Sequence, residues 1–198
     1  MDQVTKRLGA WIELGETELV DIYDFHLLID YPQYFRDPVK LQRTWMQQAR
    51  IVLASKGLPS STPDVRAYQR DVIGRRNNET CLLELLPLPS PSTNEWYYAF
   101  WSELLFLKDR RTYRDYCVPW RAEHIRSRIK QRKPKFVVFM GQGYSDYWQL
   151  IVGRNFSNEG GFWTANSIGT TYVITKHPAT QGVTNSYFES VGQFLSHN

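Results

Sequence analysis

The run Phe136-Val137-Val138-Phe139-Met140 constrains the fold more than any other stretch of the chain. Five apolar residues rich in β-branched and aromatic types make a buried strand and are too few for a buried helix. Lys133-Pro134-Lys135 stops the segment before the run, and Gly141-Gln142-Gly143 ends the run itself. Upstream, Val118, Ala122, Ile125 and Ile129 are spaced by 4, 3 and 4, one stripe of an amphipathic helix. Downstream, Tyr144–Val152 reads as another helix. A strand between helices belongs to a mainly parallel sheet covered on its faces.

Two further apolar runs fit that plan. Thr171–Thr175 reads as a strand, stops at His177-Pro178-Ala179, and precedes a helix over Thr184–Leu195 that packs through Tyr187, Val191 and Leu195. Thr80–Leu88 is ended by Pro87, Pro89 and Pro91; its length suits a buried strand, although its leucines also suit a helix. Ser92-Thr93-Asn94-Glu95 offers an N-cap to an aromatic helix over Trp96–Leu107. Pro38–Lys56 has helical spacing and stops at Gly57. Leu19–Tyr31 fits either a strand or a helix, Tyr31–Asp37 and Arg70–Glu79 read as loops, and Arg154–Thr170 as a surface loop or short hairpin. The fold class is therefore α/β, and 198 residues suit a single domain, 1–198.

Composition excludes several classes. With 42% hydrophobic and 22% charged residues the chain is not a disordered one. No stretch approaches the ~18 uninterrupted apolar residues of a membrane span, so no membrane partner is expected. The net charge of +4 and pI near 9.0 fit either a solvated basic surface or a phosphate-bearing partner. Cys81 and Cys117 have no metal-ligand spacing; Cys81 lies in an apolar run and reads as a buried thiol, which suggests a reducing, cytoplasmic setting. No phosphate-binding GxxxxGK[ST] loop, GxSxG elbow, HExxH or CxxC occurs, and neither a metal nor a cofactor is expected.

Open α/β sheets place ligands at the carboxyl ends of their strands, which here are Pro87–Ser92, Gly141–Gly143 and His177–Gln181. His177 can donate to a ligand oxygen or titrate near neutrality. Gly141 and Gly143 allow close backbone approach at a helix start, or simply a strand–helix turn. Arg126, Arg128 and Lys130 lie on the basic helix Arg121–Lys135, which is either a phosphate contact or a solvated face. Trp96, Tyr97, Tyr98, Phe100 and Trp101 offer either a stacking surface or, for most of them, core.

These pieces together resemble a known family. PKFVVFMGQG, then a variable stretch, then YVITKHPATQGVTNSYFESVGQFL resembles the C-terminal half of the uracil-DNA glycosylase superfamily. LLELLPLPSPS resembles that family's second strand with its proline-containing exit loop, and RAEHIRSRIKQRKP the helix before the next strand. The resemblance spans roughly Cys81 to Leu195. It implies a three-layer α/β/α sandwich acting on a nucleotide flipped out of DNA, because the glycosidic bond is inaccessible inside a stacked duplex. His177 would be the motif histidine, hydrogen-bonding the base as negative charge develops on it. The loop from Ala179 to Val183, with Gln181, would enter the minor groove and support the extruded base, and Pro87, Gly141 and Pro178 would belong to the substrate site. Glu84 falls where the family often has an Asn reading the pyrimidine edge; a carboxylate could instead accept from an exocyclic amine. Arg126, Arg128 and Lys130 would hold phosphates. The family's first motif, a Gly- and Pro-containing loop with a water-activating acid or Asn, has no clear counterpart; Asp30-Tyr31-Pro32 holds related residue types in another order. Residues 1–60 are then a divergent or truncated N-terminal part. Three readings stay open: a glycosylase-type N-glycosidic hydrolase, a non-catalytic DNA- or protein-binding module of the same fold, and a small nucleotide-binding domain using Gly141–Gly143.

Overall fold

A computed structural model describes residues 2–88, 90, 95–167 and 169–197. In chain order the helices are α1 (Asp2–Glu13), α2 (Ile22–Leu28), α3 (Arg43–Ser55), α4 (Thr62–Asp71), α5 (Tyr98–Trp101), α6 (Arg110–Arg132), α7 (Ser145–Val152) and α8 (Asn185–Ser196). The strands are β1 (Phe136–Met140), β2 (Ser157–Asn158), β3 (Trp163–Ser167) and β4 (Thr170–Thr175). The chain divides into two compact units, Met1–Leu82 with Thr175–Asn198, and Leu83–Ile174.

In the first unit the helices begin where side chains can satisfy their free N–H groups. The Asp21 carboxylate accepts from the Tyr23 N–H at 2.9 Å, and the Gln42 amide oxygen accepts from the Trp45 N–H at 2.7 Å. At α4 the Asp64 carboxylate accepts from the Ser61 N–H at 3.0 Å, and Pro63 stands in the first turn, where no helix bond is lost. Apolar faces of α3 and α4 meet around Phe35, Ala49, Leu53, Val65, Tyr68 and Ile73. Gln69 is buried beside them. Its amide NH2 donates to the carbonyls of Tyr34 and Lys40 at 2.8 and 3.0 Å, and its oxygen accepts from the Gln42 N–H at 3.0 Å. One fully satisfied side chain thus pins the loop between α2 and α3. Helix α8 packs along α3 through Phe188, Val191 and Leu195, all buried.

The second unit holds the sheet, a mixed one in the order β1-β4-β3-β2. β2 pairs with β3 and β3 with β4, both antiparallel, with Trp163 opposite Ile174 and Ser167 opposite Thr170. All six residues of β4 are buried, as expected of an inner strand. The Thr171 N–H donates to the Lys135 carbonyl at 3.0 Å and the Thr170 hydroxyl to the Pro134 carbonyl at 2.7 Å, which fastens β4 to the entry of β1. Phe139 stacks on Trp148 with centroids 4.8 Å apart, and Leu85, Val118, Ala122, Ile125, Ile151 and Tyr172 fill the same core.

Several expectations are corrected here. The mainly parallel sheet is replaced by one in which β2–β3 and β3–β4 are antiparallel, because Arg154–Thr170 folds as a hairpin and returns directly into β4. Thr80–Leu88 forms no strand: Leu85 is buried and Leu83 and Leu86 pack on the core, but the segment gains its anchorage from side-chain partners. The Leu88 N–H, for one, donates to the Tyr113 hydroxyl at 3.1 Å. Trp96–Leu107 is broken into the short α5 and a single 3-10 turn at Leu105–Leu107. Leu19–Tyr31 resolves as the helix α2, capped by Asp21. The N-cap expected at Ser92-Thr93-Asn94 lies outside the described residues. Cys81 is exposed and Cys117 is the buried thiol, since Cys81 sits in the segment that never joins the sheet.

Candidate functional site

Strand β4 leads in chain order to the His177 loop, which the first unit holds in place from both sides. The Lys176 N–H donates to the Tyr187 hydroxyl of α8 at 2.9 Å, and the Thr180 N–H donates to the His177 carbonyl at 2.9 Å, closing a turn. Burial pushes the Tyr187 phenol up, although the bond from Lys176 opposes it. Thr184 caps α8, its hydroxyl accepting from the Tyr187 N–H at 3.3 Å. Pro178 is buried and anchors the loop, while His177, Ala179 and Gln181 are exposed. The Ala179 N–H donates to Nδ1 of His177 at 3.1 Å. With Nδ1 an acceptor, the proton of the neutral ring sits on Nε2. The exposed imidazole is therefore a donor whose tautomer the backbone sets.

The other residues singled out from the sequence belong to the second unit. Gly141 has φ 113° and ends β1; its carbonyl accepts from the Trp148 indole N–H at 2.8 Å. The glycine is needed for that backbone angle, and the indole closes the turn into α7. Beside the turn a cleft of about 310 Å³ is lined by Gln142, Ser145, Gln149, Phe156, Trp163 and Ile174. Glu84 and Pro87 are exposed, and the Glu84 carbonyl accepts from Arg121 Nε at 2.9 Å. Arg126 donates through Nε to the Ile151 carbonyl at 3.0 Å, through a second nitrogen to the Leu150 carbonyl, and pairs with Glu123 at 2.9 Å. Its guanidinium is thus spent on the last carbonyls of α7, the end of a helix dipole where a cation is favoured. Arg128 donates to Gln131 at 2.9 Å, and Lys130 is exposed.

Two further surfaces lie apart from these residues, one that sequence reasoning missed and one that it offered as a stacking surface while assigning most of its rings to core. A polar cleft of about 450 Å³ beside the β2–β3 hairpin is lined by Arg154, Asn155, Ser157, Glu159, Thr164 and Asn166. Its signal was the Gly/Asn/Ser-rich composition, which reads equally as an ordinary loop. The second is aromatic. Tyr98 is buried, but Tyr97, Phe100 and Trp101 are exposed, so most of this cluster is surface. Tyr116 and Trp120 of α6 are exposed too, at i and i+4 on one helix face and off the Val118–Ala122–Ile125 stripe. That offset was readable in the sequence. Among the described residues no group of His, Cys, Asp and Glu could hold a metal ion, and no helix is long and apolar enough to cross a membrane. The chain matches no family model, no curated protein and no solved structure.

Proposed function

We propose that this chain is a uracil-DNA glycosylase-like protein of three-layer α/β/α design that engages a flipped, modified base in DNA through the His177 loop. The observation that carries the reading is the His177 ring itself. A neutral imidazole with Nδ1 held by the Ala179 N–H presents an Nε2–H donor to solvent. Such a fixed donor suits a base oxygen that gains negative charge as an N-glycosidic bond lengthens, and removing a comparable donor typically costs about 10²–10³ in rate. The order of strand, His-Pro-Ala loop and helix supports the same reading, as does a turn at Gly141 that only glycine tolerates.

The test is an oligonucleotide panel carrying different modified bases, assayed for base release under single-turnover conditions. His177→Ala should slow release by about two orders of magnitude. Equal rates for both proteins would remove His177 from this role. A second reading, a non-catalytic DNA-binding module of the same fold, draws on the basic residues of α6, which would hold phosphates and cleave no bond. It predicts salt-sensitive binding of the same oligonucleotides with no base released.

A further inference from the structure

The cleft beside the Gly141 turn lies wholly within the second unit and brings unspent polar groups up against aromatic walls. Its lining is Gln142, Ser145, Gln149, Phe156, Trp163 and Ile174. Ser145 and Gln149 stand one turn apart on the same face of α7, and Gln142 stands in the 3-10 turn before that helix. Trp163 of β3 is paired with Ile174 of β4. Phe156 meets Phe139 edge to face with centroids 6.4 Å apart, and both Phe156 and Trp163 pack against the core, so the apolar walls are fixed from behind. Gln142 spends an amide N–H on the Gly161 carbonyl at 3.5 Å. Among the described residues the Ser145 hydroxyl, the Gln149 amide and the Trp163 indole N–H have no hydrogen-bond partner, although all three side chains are half-buried. Groups of this kind ordinarily find a partner when they leave bulk solvent.

Size, charge and shape define the occupant. A volume of about 310 Å³ is at the lower end for ligand pockets, which suits a molecule of a single ring. No ionisable side chain lines the cleft, so a charged ligand would lose its water without gaining an ion partner. The Gln149 amide offers a carbonyl beside an NH2, an edge that a second amide can meet with paired hydrogen bonds. The indole N–H and the hydroxyl are left for a further carbonyl or a ring nitrogen. The rings of Phe156 and Trp163 favour a flat π system. Water can serve the polar groups, but it leaves the two rings and Ile174 wet.

We propose that this cleft binds a small, neutral, planar amide, either an aromatic carboxamide such as nicotinamide or a ring lactam such as 2-pyridone. The proposal is independent of the His177 loop and of base release. The experiment is titration of the full chain with nicotinamide and with 2-pyridone, followed by calorimetry and by ligand-observed NMR; the tighter of the two identifies the source of the amide. Benzoate and toluene serve as charged and apolar counterparts of the same size. Dissociation constants of about 1 mM or below are expected for the amides, as befits ligands of so few atoms. Benzoate should bind at least about tenfold more weakly. Gln149→Ala and Gln149→Glu should each weaken amide binding by about tenfold, and Trp163→Phe, which keeps a ring and loses the indole N–H, by about fivefold. The Gln149 substitutions are on a helix surface, and an unchanged far-ultraviolet circular dichroism spectrum confirms that they fold, so they decide the matter even where Trp163→Phe does not fold. Amide affinity unchanged by both Gln149 substitutions overturns the proposal. So does benzoate or toluene binding as tightly as the amides, or the absence of any signal with either amide at ten times the expected dissociation constant. Each of these results leaves the glycosylase reading where it stands.

Discussion

Replacing Gly192 by alanine should destabilise the first unit, although alanine is the better helix former. A Cβ built at Gly192 would lie 2.5 Å from the Ile51 carbonyl oxygen, 2.6 Å from the Ala54 Cβ and 3.0 Å from the Ser55 nitrogen. Carbon atoms in contact prefer about 3.5–4.0 Å, so α8 and α3 must separate by about 1 Å. Two of the three obstacles are backbone atoms of a helix and cannot turn aside. The separation is felt along the interface, where Phe188, Val191 and Leu195 are 0–1% exposed. Burial of each such side chain contributes about 1.5–3 kcal/mol, and a radial gap of this size forfeits a quarter or more of the contact attraction. Against that loss stands a propensity gain of about 1 kcal/mol. With the usual overpacking cost of about 1–3 kcal/mol, the net destabilisation is about 1–3 kcal/mol.

Urea unfolding followed by circular dichroism reads this directly as a lower midpoint at unchanged slope. In a thermal scan the same loss is a fall of about 2–12 °C, at about 2–4 °C per kcal/mol for a chain of this size. Gly192→Ala combined with Ala54→Gly should recover only part of the loss, because the Ile51 carbonyl remains in place. A Gly192→Ala protein as stable as the parent would refute the close approach of α3 and α8, and with it the support for the Tyr187–Lys176 bond that steadies the His177 loop.

Two other expectations come from the titratable groups. Burial pushes the Asp21 carboxyl up, but the Arg76 N–H at 2.7 Å, the Arg75 guanidinium at 3.0 Å and the Tyr23 N–H together bring it below the ordinary carboxylate value. A carboxyl depressed on folding stabilises above its unfolded pKa of about 3.9 and loses that contribution as pH falls through the folded value. Asp21→Asn should therefore lower the melting temperature at pH 7, by about 1–2 kcal/mol of stability, and the gap should close on acidification; a gap constant from pH 7 to pH 3 would contradict the bonded carboxylate. Burial likewise pushes the Cys117 thiol up, and Cys117 is fully buried while Cys81 is exposed. A thiol reagent should label one cysteine in the native protein, identified by mass spectrometry as Cys81, and both in denaturant.

What could be read from the sequence was local and strongly punctuated. Phe136–Met140 and Thr171–Thr175 are short apolar runs between breakers, and they fold as β1 and β4 with at most a residue of difference. The stripe Val118–Ala122–Ile125 is buried as its spacing requires. The start of α6 was hidden because Pro119 stands inside the helix, and proline ordinarily marks a boundary; the true start is Asp109, whose carboxylate accepts from the Thr112 N–H at 2.8 Å. Thr80–Leu88 misled for the opposite reason. Its leucines satisfy the pattern of a buried strand, yet apolar burial alone does not choose a ladder, and Tyr113 supplies a backbone partner from 25 residues away. Gly192 was visible as a glycine inside a helical pattern, a signal of close approach that hydrophobic spacing alone passes over.

The basic helix shows why site residues are harder to read than elements. Arg126 and Arg111 are the same letter on the same helix, but they are physically different groups. Arg126 gives its nitrogens to two carbonyls of α7 and to Glu123, so a phosphate could bind it only by breaking a cap that α7 requires. Arg111, with its side chain 84% exposed and a 3.8 Å approach to an aspartate shared with Arg114, gives up almost nothing when an anion arrives. Charge counted along the sequence weights the two equally, whereas binding weights them by what each must surrender. The cation most available to an anion therefore lies toward the beginning of α6, at Arg111, rather than at Arg126 near the β1 strand.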